Sequence, residues 1–483
     1  MNYRESDSRI VFMMSIIIRL TERRRLHNIA LNKETSSIHR DRRLILKAKY
    51  EIVKTKLLRI TEISKNNPKE KFTSIYHLIN EDMLMMCHKE LDGNKATGID
   101  NVTKREYAEN LENNIKELVN RLRNKAFIPA PAKRVNIPKA NGKTRPLGIA
   151  IYEDKIVQLA LKKIIEAIYE PKFLECMNGF RPNKGCHTAI KQLSDNIERR
   201  KVGYIVDADI KGFFNNIDHN WLMKCLEQHI QDPNILKLVK RFLKAGIIEN
   251  GTYSKTEVGT PQGSILSPVL ANIYMHYVLA LWFEKKVKPN VRGEAHITIY
   301  ADDYVCGFQY RDVAELFFNK LLPERLAKFN LQLEPSKTRL IEFGRFAEER
   351  RKGKRPETFD FLGFTFYCGK NRNGKFNVKK KTSRKKYISK IKEYNEWCKN
   401  NRHLKVKDLI NKTNIKLQGH YRYFGIEDNY RMIKAYKEEV RKLIFKWLNR
   451  RSQRKSCSWE KFEYIERMYP LATPHIYVTI RDR

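Results

Sequence analysis

Hydrophobic residues recur along this chain with two spacings, which predicts a mixture of helices and strands. Spacings of three to four residues, typical of amphipathic helices, occur in several long segments. These segments are residues 1–70, 71–91, 104–125, about thirty residues from Glu153, 220–245, 311–329 and most of 371–483. The apolar run at 10–18 is too short to span a membrane, and acids precede it, so we expect a buried helix rather than a signal peptide.

Apolar residues alternate or cluster in shorter runs elsewhere, as they do in strands. Val135 and Ile137 alternate with polar residues before a turn at "ANGK", which predicts a basic hairpin over 134–150. A strand beginning at 203 is expected to break at Gly212, and residues 359–369 also have a strand-like composition.

Two consecutive carboxylates, Asp302 and Asp303, lie between the apolar runs 297–300 and 304–308. The pattern predicts a β-hairpin with both acids at its tip. A polar turn is one interpretation, because aspartate is common in turns. The other is a metal site, which requires a further carboxylate from elsewhere in the chain.

The segment "IVDADIKGFF" supplies candidates for that carboxylate. Val206, Ala208 and Ile210 alternate with Asp207 and Asp209, so both acids lie on one face of the strand. Carboxylates from separate segments suit hard divalent cations such as Mg²⁺. The chain contains 55 acidic residues, so a chance pairing remains an alternative.

The charge balance indicates a polyanionic partner. The chain of 483 residues carries 96 Lys and Arg against 55 Asp and Glu, a net charge of +41. Nucleic acid is the first interpretation and an anionic membrane surface the second. No CxxC pair occurs among the eight cysteines, so neither a zinc finger nor a disulfide framework is expected. A reducing compartment, the cytoplasm, fits this pattern.

Seven sequence blocks occur in an order that resembles the reverse transcriptases of bacterial group II introns. The blocks are "RPLGI", "GFRPNKG", "DADIKGFF", "GTPQGSILSPVLANI", "YADD", "EPSKT" and "FLGF". "NKATGID" resembles an additional N-terminal block of that family, and "LQGHYRYFG" resembles its thumb and maturase region.

The resemblance implies an α+β fold of the right-hand polymerase type, with fingers and an antiparallel palm sheet followed by a helical thumb. It implies fingers and palm over 71–370 and a helical thumb/maturase (X) domain over 371–483. Residues 1–70, which match none of its blocks, are expected to form a basic helical N-terminal extension. The family's HNH endonuclease with its Cys pairs is not expected, since no CxxC occurs.

By motif position, Asp209, Asp302 and Asp303 would hold two Mg²⁺ ions, for which Mn²⁺ could substitute, with Asp302 as the shared ligand. Asp207 lies outside this triad, either as a neighbour that supports the ligands or as a polar strand residue. The resemblance also assigns Lys337 to protonation of pyrophosphate, a role that would require a lowered pKa; an ordinary surface lysine is the alternative.

Four residues would bind the deoxynucleoside triphosphate (dNTP). Lys139 and Arg145 of the basic hairpin would contact the triphosphate, and Gln262 of "TPQG" would position the nucleotide. Phe214 would lie under the sugar and exclude a 2′-hydroxyl. Without the resemblance, this phenylalanine would be interpreted as core and the hairpin as solvated surface.

The basic C-terminal region would grip RNA through its phosphates, and its aromatic residues either stack on bases or form a helical core. The resemblance implies an RNA-directed DNA polymerase and maturase that copies its intron RNA during retrohoming. Its partners would be group II intron RNA, a DNA primer or target and dNTPs, with no membrane; a homodimer is left open. The alternatives are a catalytically silent RNA-binding splicing factor, or a reverse transcriptase recruited to phage defence or CRISPR spacer acquisition.

Overall fold

The computed structural model describes residues 34–138, 144–451 and 457–479, with side chains described from residue 47. The chain divides into two compact units, residues 1–59 and 60–483. The predicted apolar helix at 10–18 lies outside the described residues. The long helix α1 (Glu34–Asn66) agrees with the helical expectation for the part of 1–70 that is described.

The segment from 71 to 199 is mainly helical, interrupted by one hairpin. Its elements are α2 (Glu81–Glu90), α3 (Lys104–Glu109), α4 (Leu111–Arg123), β1 (Ala132–Pro138), β2 (Thr144–Ile149), α5 (Tyr152–Tyr169) and α6 (Cys186–Arg199). The predicted helix over 71–91 begins only at Glu81. Asn80 caps it by accepting a hydrogen bond from the Met83 amide.

The helix predicted over thirty residues from Glu153 is shorter than expected. α5 ends at Tyr169, and a single 3₁₀ turn follows over Glu170–Lys172. Pro171 lacks an amide hydrogen, which disfavours continuation of the helix. The chain then extends, and its Asn178 amide donates to the Ile299 carbonyl at 2.8 Å.

The middle of the chain contains most of the strands. Its elements are β3 (Tyr204–Asp209), α7 (Phe213–Asn216), α8 (His219–Leu226), α9 (Pro233–Leu243), β4 (Ile247–Glu249), β5 (Thr252–Ser254), α10 (Ser267–Met275), β6 (Ala295–Tyr300) and β7 (Asp303–Phe308). α10 continues through π-helical turns at His276–Ala280 and Phe283–Val287. The strand β3 ends at Asp209, slightly before the break predicted at Gly212, whose left-handed backbone with φ of +56° precedes α7.

The remaining elements form a small sheet followed by helices. They are α11 (Arg311–Leu316), a π-helical turn (Phe317–Leu321), α12 (Leu322–Ala327), β8 (Arg339–Glu342), α13 (Ala347–Arg350), β9 (Phe359–Phe361), β10 (Phe364–Lys370), β11 (Phe376–Thr382), α14 (Arg384–Asn401), α15 (Val406–Phe424), α16 (Tyr430–Leu448) and α17 (Trp459–Met468). The alternation in "FNVKKKT", which the sequence analysis assigned to a mostly helical region, produces the additional strand β11.

Three sheets result. A four-stranded antiparallel sheet has the order β6–β7–β3–β8, and a three-stranded antiparallel sheet has the order β11–β10–β9. The third sheet, β2–β1–β4–β5, joins the basic hairpin to β4 through a parallel pair. An apolar core that includes Ile205, Phe343 and Phe364 continues from the first sheet into the C-terminal helices. The expected α+β fold is confirmed.

No helix among the described residues is both long enough and apolar enough to cross a membrane. All eight cysteines are free thiols.

Candidate active site

The three predicted carboxylates lie at one end of the four-stranded sheet. Antiparallel pairing of β3 with β7 places Asp209 directly opposite Asp303. Tyr300 pairs with Asp303 across the β6–β7 hairpin, so Ala301 and Asp302 form a two-residue turn. Ala301 has a positive φ of +57°, as primed hairpin turns require. The predicted hairpin with acids at its tip is therefore confirmed, and Asp209 is brought beside it.

Two basic side chains face the acids of β3, one from the segment before β8 and one from β8 itself. The Lys337 ammonium contacts the Asp209 carboxylate, and Arg339 pairs with Asp207 at 3.3 Å. The turn carrying Lys337 is fixed to the same strand, because the Glu334 amide donates to the Asp209 carbonyl at 2.8 Å. Lys337 is thereby placed at the carboxylate cluster, whereas Asp207 has its own partner outside the triad.

The electrostatics of the cluster show an excess of negative charge. Desolvation, followed by the charges of Asp302 and Asp209, raises the pKa of Asp303 to about 7, although the residue as a whole remains exposed to solvent. The pKa of Asp302 is also raised, mainly by desolvation and then by Asp209, while Arg145 and Lys337 oppose this shift. Desolvation raises the pKa of Asp207 to about 6 despite its Arg339 partner.

Removing one of these charges should stabilise the protein at alkaline pH. Because the pKa of Asp303 is raised on folding, its ionisation opposes folding increasingly as pH rises from about 4 through about 7. We expect Asp303→Asn to melt at a higher temperature than the wild type at pH 8 in EDTA, with the difference shrinking towards pH 4. Thermal unfolding of the exposed variant Asp312→Asn is the control, and an equal pH-dependent gain there would contradict this assignment.

The donor set suits a hard divalent cation. Among the described residues, no group of three or more His, Cys, Asp or Glu side chains already has the geometry of a complete ligand set. However, Asp209, Asp302 and Asp303 provide only oxygen donors, which hard divalent cations prefer. Their negative charges repel one another, and a bound cation would relieve this repulsion. The residues present therefore fit the group implied by the family resemblance.

The role of general acid predicted for Lys337 requires a lowered pKa, which the structure does not support. Its pKa is raised rather than lowered, mainly by the hydrogen bond to Asp209. The lysine therefore carries its proton firmly while it contacts this carboxylate.

Three of the four predicted nucleotide-binding residues are among those that the structure describes: Arg145 on β2, Phe214 on α7 and Gln262 in the loop before α10. Arg145 is exposed on β2, and its charge acts on Asp302, whereas Lys139 lies outside the described residues. The Gly148 amide of β2 donates to the Gln262 carbonyl at 2.6 Å. Gly263 has φ of +106°, and a Cβ there would lie 2.9 Å from the Gly148 oxygen, so this close approach requires glycine.

Phe214 is partly buried on the short helix α7, while Phe213 is fully within the core. The Phe214 carbonyl accepts from the Thr260 amide at 2.7 Å, which attaches α7 to the "TPQG" loop. A cavity of about 140 Å³ lies beside this attachment and is lined by Asn215, Thr260 and Gln262 among others. The structure thus brings Phe214 and Gln262 into one neighbourhood.

Gly179 is a functional candidate that the sequence analysis missed. A Cβ on this residue would lie 2.3 Å from the Ala301 amide nitrogen, so its backbone packs directly against the turn that carries Asp302. Asn272 fixes the Gly179 carbonyl with a 2.8 Å hydrogen bond. The glycine of "MNGF" was visible in the sequence, but its contact with residue 301 was not.

Gly179→Ala should disturb this turn. Because the obstructing atoms are backbone, the strand or the turn must shift, which we expect to cost about 1–3 kcal/mol in the free energy of unfolding. Denaturant unfolding measures this cost. Gly185→Ala is the matched control, since its Cβ would meet open space and should change stability by less than about 0.5 kcal/mol. Equal losses in both variants would contradict the packing argument.

The aromatic residues of "FLGF" and of the C-terminal region are mostly core. Phe361 and Phe364 are buried, as are Tyr394, Tyr421 and Phe424. Packing in a helical core therefore accounts for Tyr394, Tyr421 and Phe424. Tyr387, Trp397 and Tyr423 are only partly buried against it.

The family model for reverse transcriptase (RNA-dependent DNA polymerase) matches residues 137–366, which include the sheet, the carboxylates and the "FLGF" hairpin. Residues 137–366, slightly less than half of the chain, are therefore similar to reverse transcriptases. This match agrees with the resemblance inferred from the ordered motifs.

Proteins similar to this chain include some that are encoded by introns. The chain is 38% identical over 247 residues to the group II intron-encoded protein LtrA of Lactococcus lactis subsp. cremoris, covering 50% of this chain and 40% of LtrA. It is 36% identical over 188 residues to the protein YkfC of Escherichia coli, covering 38% and 49%. It is 32% identical over 272 residues to the putative COX1/OXI3 intron 1 protein of Saccharomyces cerevisiae, covering 55% and 30%. The match spans less than half the length of each relative.

Proposed function

We propose that this protein is an RNA-directed DNA polymerase that binds its group II intron RNA, assists its splicing as a maturase and copies it into cDNA during retrohoming. The observation that carries the proposal is the cluster of Asp209, Asp302 and Asp303 at the sheet end of the region similar to reverse transcriptases. The intron-encoded relatives support the choice of RNA partner.

The polymerase chemistry would divide among the predicted site residues. Asp209, Asp302 and Asp303 would hold two Mg²⁺ ions, or Mn²⁺ in their place, which supply Lewis-acid activation of the primer 3′-hydroxyl and neutralise charge at the dNTP α-phosphate. Arg145, exposed on β2 and close enough to act on Asp302, would bind the triphosphate, as would Lys139. Phe214 would face the sugar, and Gln262 would position the base.

Lys337 would hold a proton close to the reaction. Its proton is retained while it contacts Asp209, because that contact raises its pKa. Donation to the leaving pyrophosphate therefore requires the ammonium to move from the carboxylate to the phosphate. The lysine would thus act late in the cycle, after the carboxylate has acquired another partner.

RNA binding would use the basic C-terminal region. Residues 371–410 contain 14 Lys and Arg against 3 acids, and the first turn of α14 exposes Arg384, Lys385 and Lys386. Phosphate contacts of this kind are largely independent of sequence and weaken steeply with salt. Specificity for one intron would come from additional contacts with the folded RNA.

The test is primer extension on an RNA template with dNTPs and Mg²⁺, paired with splicing of the RNA that flanks the gene. We expect cDNA from the wild type and none from Asp302→Ala/Asp303→Ala, with salt-sensitive RNA binding in both. Absence of extension by a folded wild type that still promotes splicing would favour the silent splicing factor. Extension without any effect on flanking RNA would favour recruitment to phage defence or spacer acquisition.

A further inference from the structure

Three elements that are distant in the sequence meet at Tyr423 near the end of α15. The first is the start of α6, where His187 Nε2 lies 2.7 Å from the Tyr423 carbonyl oxygen. Because a carbonyl only accepts hydrogen bonds, this ring nitrogen carries a hydrogen and donates it. The imidazole also packs on the phenol ring, with centroids 5.8 Å apart.

The second element is the turn between β9 and β10. The Tyr423 hydroxyl donates to the Leu362 carbonyl at 2.9 Å, and its ring stacks on Phe364 with centroids 5.9 Å apart. Leu362 and Gly363 both have positive φ, +50° and +80°. A leucine in this conformation is unusual, so contacts around the turn must hold it in place.

The third element is the strand that leads into the catalytic hairpin. Burial, and next to it the Cys186 thiol beside His187, raises the pKa of both Tyr300 and Tyr423, so this thiol lies near both phenols. Tyr300 is the residue that pairs with Asp303. A series of neighbouring side chains therefore runs from the carboxylate cluster through Tyr300, Cys186 and Tyr423 to the Leu362 turn.

This series borders a positively charged surface. Lys386 lies against the same turn, since a Cβ on Gly363 would lie 3.4 Å from its side chain. Arg384 and Lys385 are also exposed in the first turn of α14. A nucleic-acid strand whose end reacts at the carboxylates would find cations for its phosphates on this surface.

We propose that Tyr423 is a positioning residue that fixes the Leu362 turn relative to Asp303 and thereby sets the distance of the primer 3′ end from the carboxylates. Its hydroxyl holds the turn, and His187 holds the backbone of Tyr423 against the palm. This inference rests on the proposed polymerase function. It assigns no chemical step to Tyr423, which acts through the geometry of its neighbours.

The test compares Tyr423→Phe with Tyr421→Phe. Both lose a hydroxyl that donates to a backbone carbonyl, on the same helix two residues apart, but Tyr421 bonds to Ala472 at 3.2 Å instead of to the turn. We expect Tyr423→Phe to lower the single-turnover extension rate per active site about 5-fold, the value of one net hydrogen bond, with little change in dNTP KM. Tyr421→Phe should retain the wild-type rate.

Hydrogen exchange in residues 359–366 provides a readout that does not depend on activity. We expect faster exchange there in Tyr423→Phe than in Tyr421→Phe, at equal melting temperatures. His187→Gln, whose side-chain amide can still donate, should keep the rate better than His187→Ala. A purely structural role would lower both melting temperatures and leave the rate per folded enzyme unchanged.

Two failures are distinguishable. An active wild type whose Tyr423→Phe variant matches Tyr421→Phe in rate and in exchange overturns the positioning role alone. A folded wild type that extends no primer overturns the proposed function and this inference together.

Discussion

Asp209→Asn is expected to reduce primer extension by at least about three orders of magnitude while the protein stays folded. Asparagine has the same shape, but it removes one of three carboxylates that would hold the metal ions, and the chemistry depends on their charge. Single-nucleotide extension at saturating dNTP measures the loss, and circular dichroism confirms folding.

Asp207→Asn is the matched control for this experiment. It makes the same change on the same strand face two residues away, where the carboxylate pairs with Arg339. We expect a change in extension of less than about 10-fold, because Asp207 is not one of the three proposed metal ligands and an ion pair with a half-exposed arginine contributes little. Comparable losses in the two variants would show that the assignment of Asp209 to the reacting cluster is wrong.

Phe214→Val is expected to lower discrimination between deoxy- and ribonucleotides by about 100-fold. Replacing the ring with a smaller side chain opens space for a 2′-hydroxyl, and a steric exclusion of this kind is worth about 2–3 kcal/mol. The measurement is the ratio of kcat/KM for dGTP and GTP on one template. Most of the change should come from improved use of GTP.

Phe213→Val separates a steric role from general damage. Phe213 belongs to the core and contacts Tyr274, so its truncation leaves a cavity and should destabilise folding by about 1–3 kcal/mol. Its nucleotide discrimination should equal that of the wild type. If both phenylalanine variants relax discrimination equally, the selective contact does not belong to Phe214.

Local patterns predicted the parts of the site that each depend on one segment. The apolar runs around Asp302 and Asp303 gave a hairpin, the alternation in "IVDAD" gave a strand with Asp209 on its face, and Val135 and Ile137 gave the fingers hairpin. In each case the alternation of side chains along one strand decides which residues share a face, so the segment alone is sufficient for the prediction.

Features that depend on distant contacts were not predictable. Residues 176–178 are extended rather than helical because they hydrogen-bond to β6, more than a hundred residues later. Similarly, β11 forms because it can pair with the free edge of β10. The packing of Gly179 on Ala301 and the link from His187 to Tyr423 join residues 122 and 236 positions apart (301 − 179; 423 − 187). Only the folded chain brings these groups together.

The parallel pair between β1 and β4 also has a consequence for exchange of parts between related enzymes. One sheet is assembled from β1 and β2, which lie close together in the sequence, and from β4 and β5 about a hundred residues later, and Glu249 receives hydrogen bonds from Arg134 and Asn136. The Gly148–Gln262 hydrogen bond joins the same two segments again. A chimera in which only the hairpin comes from a related enzyme would therefore lose the contacts between these two segments. A chimera in which 132–149 and 246–263 are exchanged together would keep them.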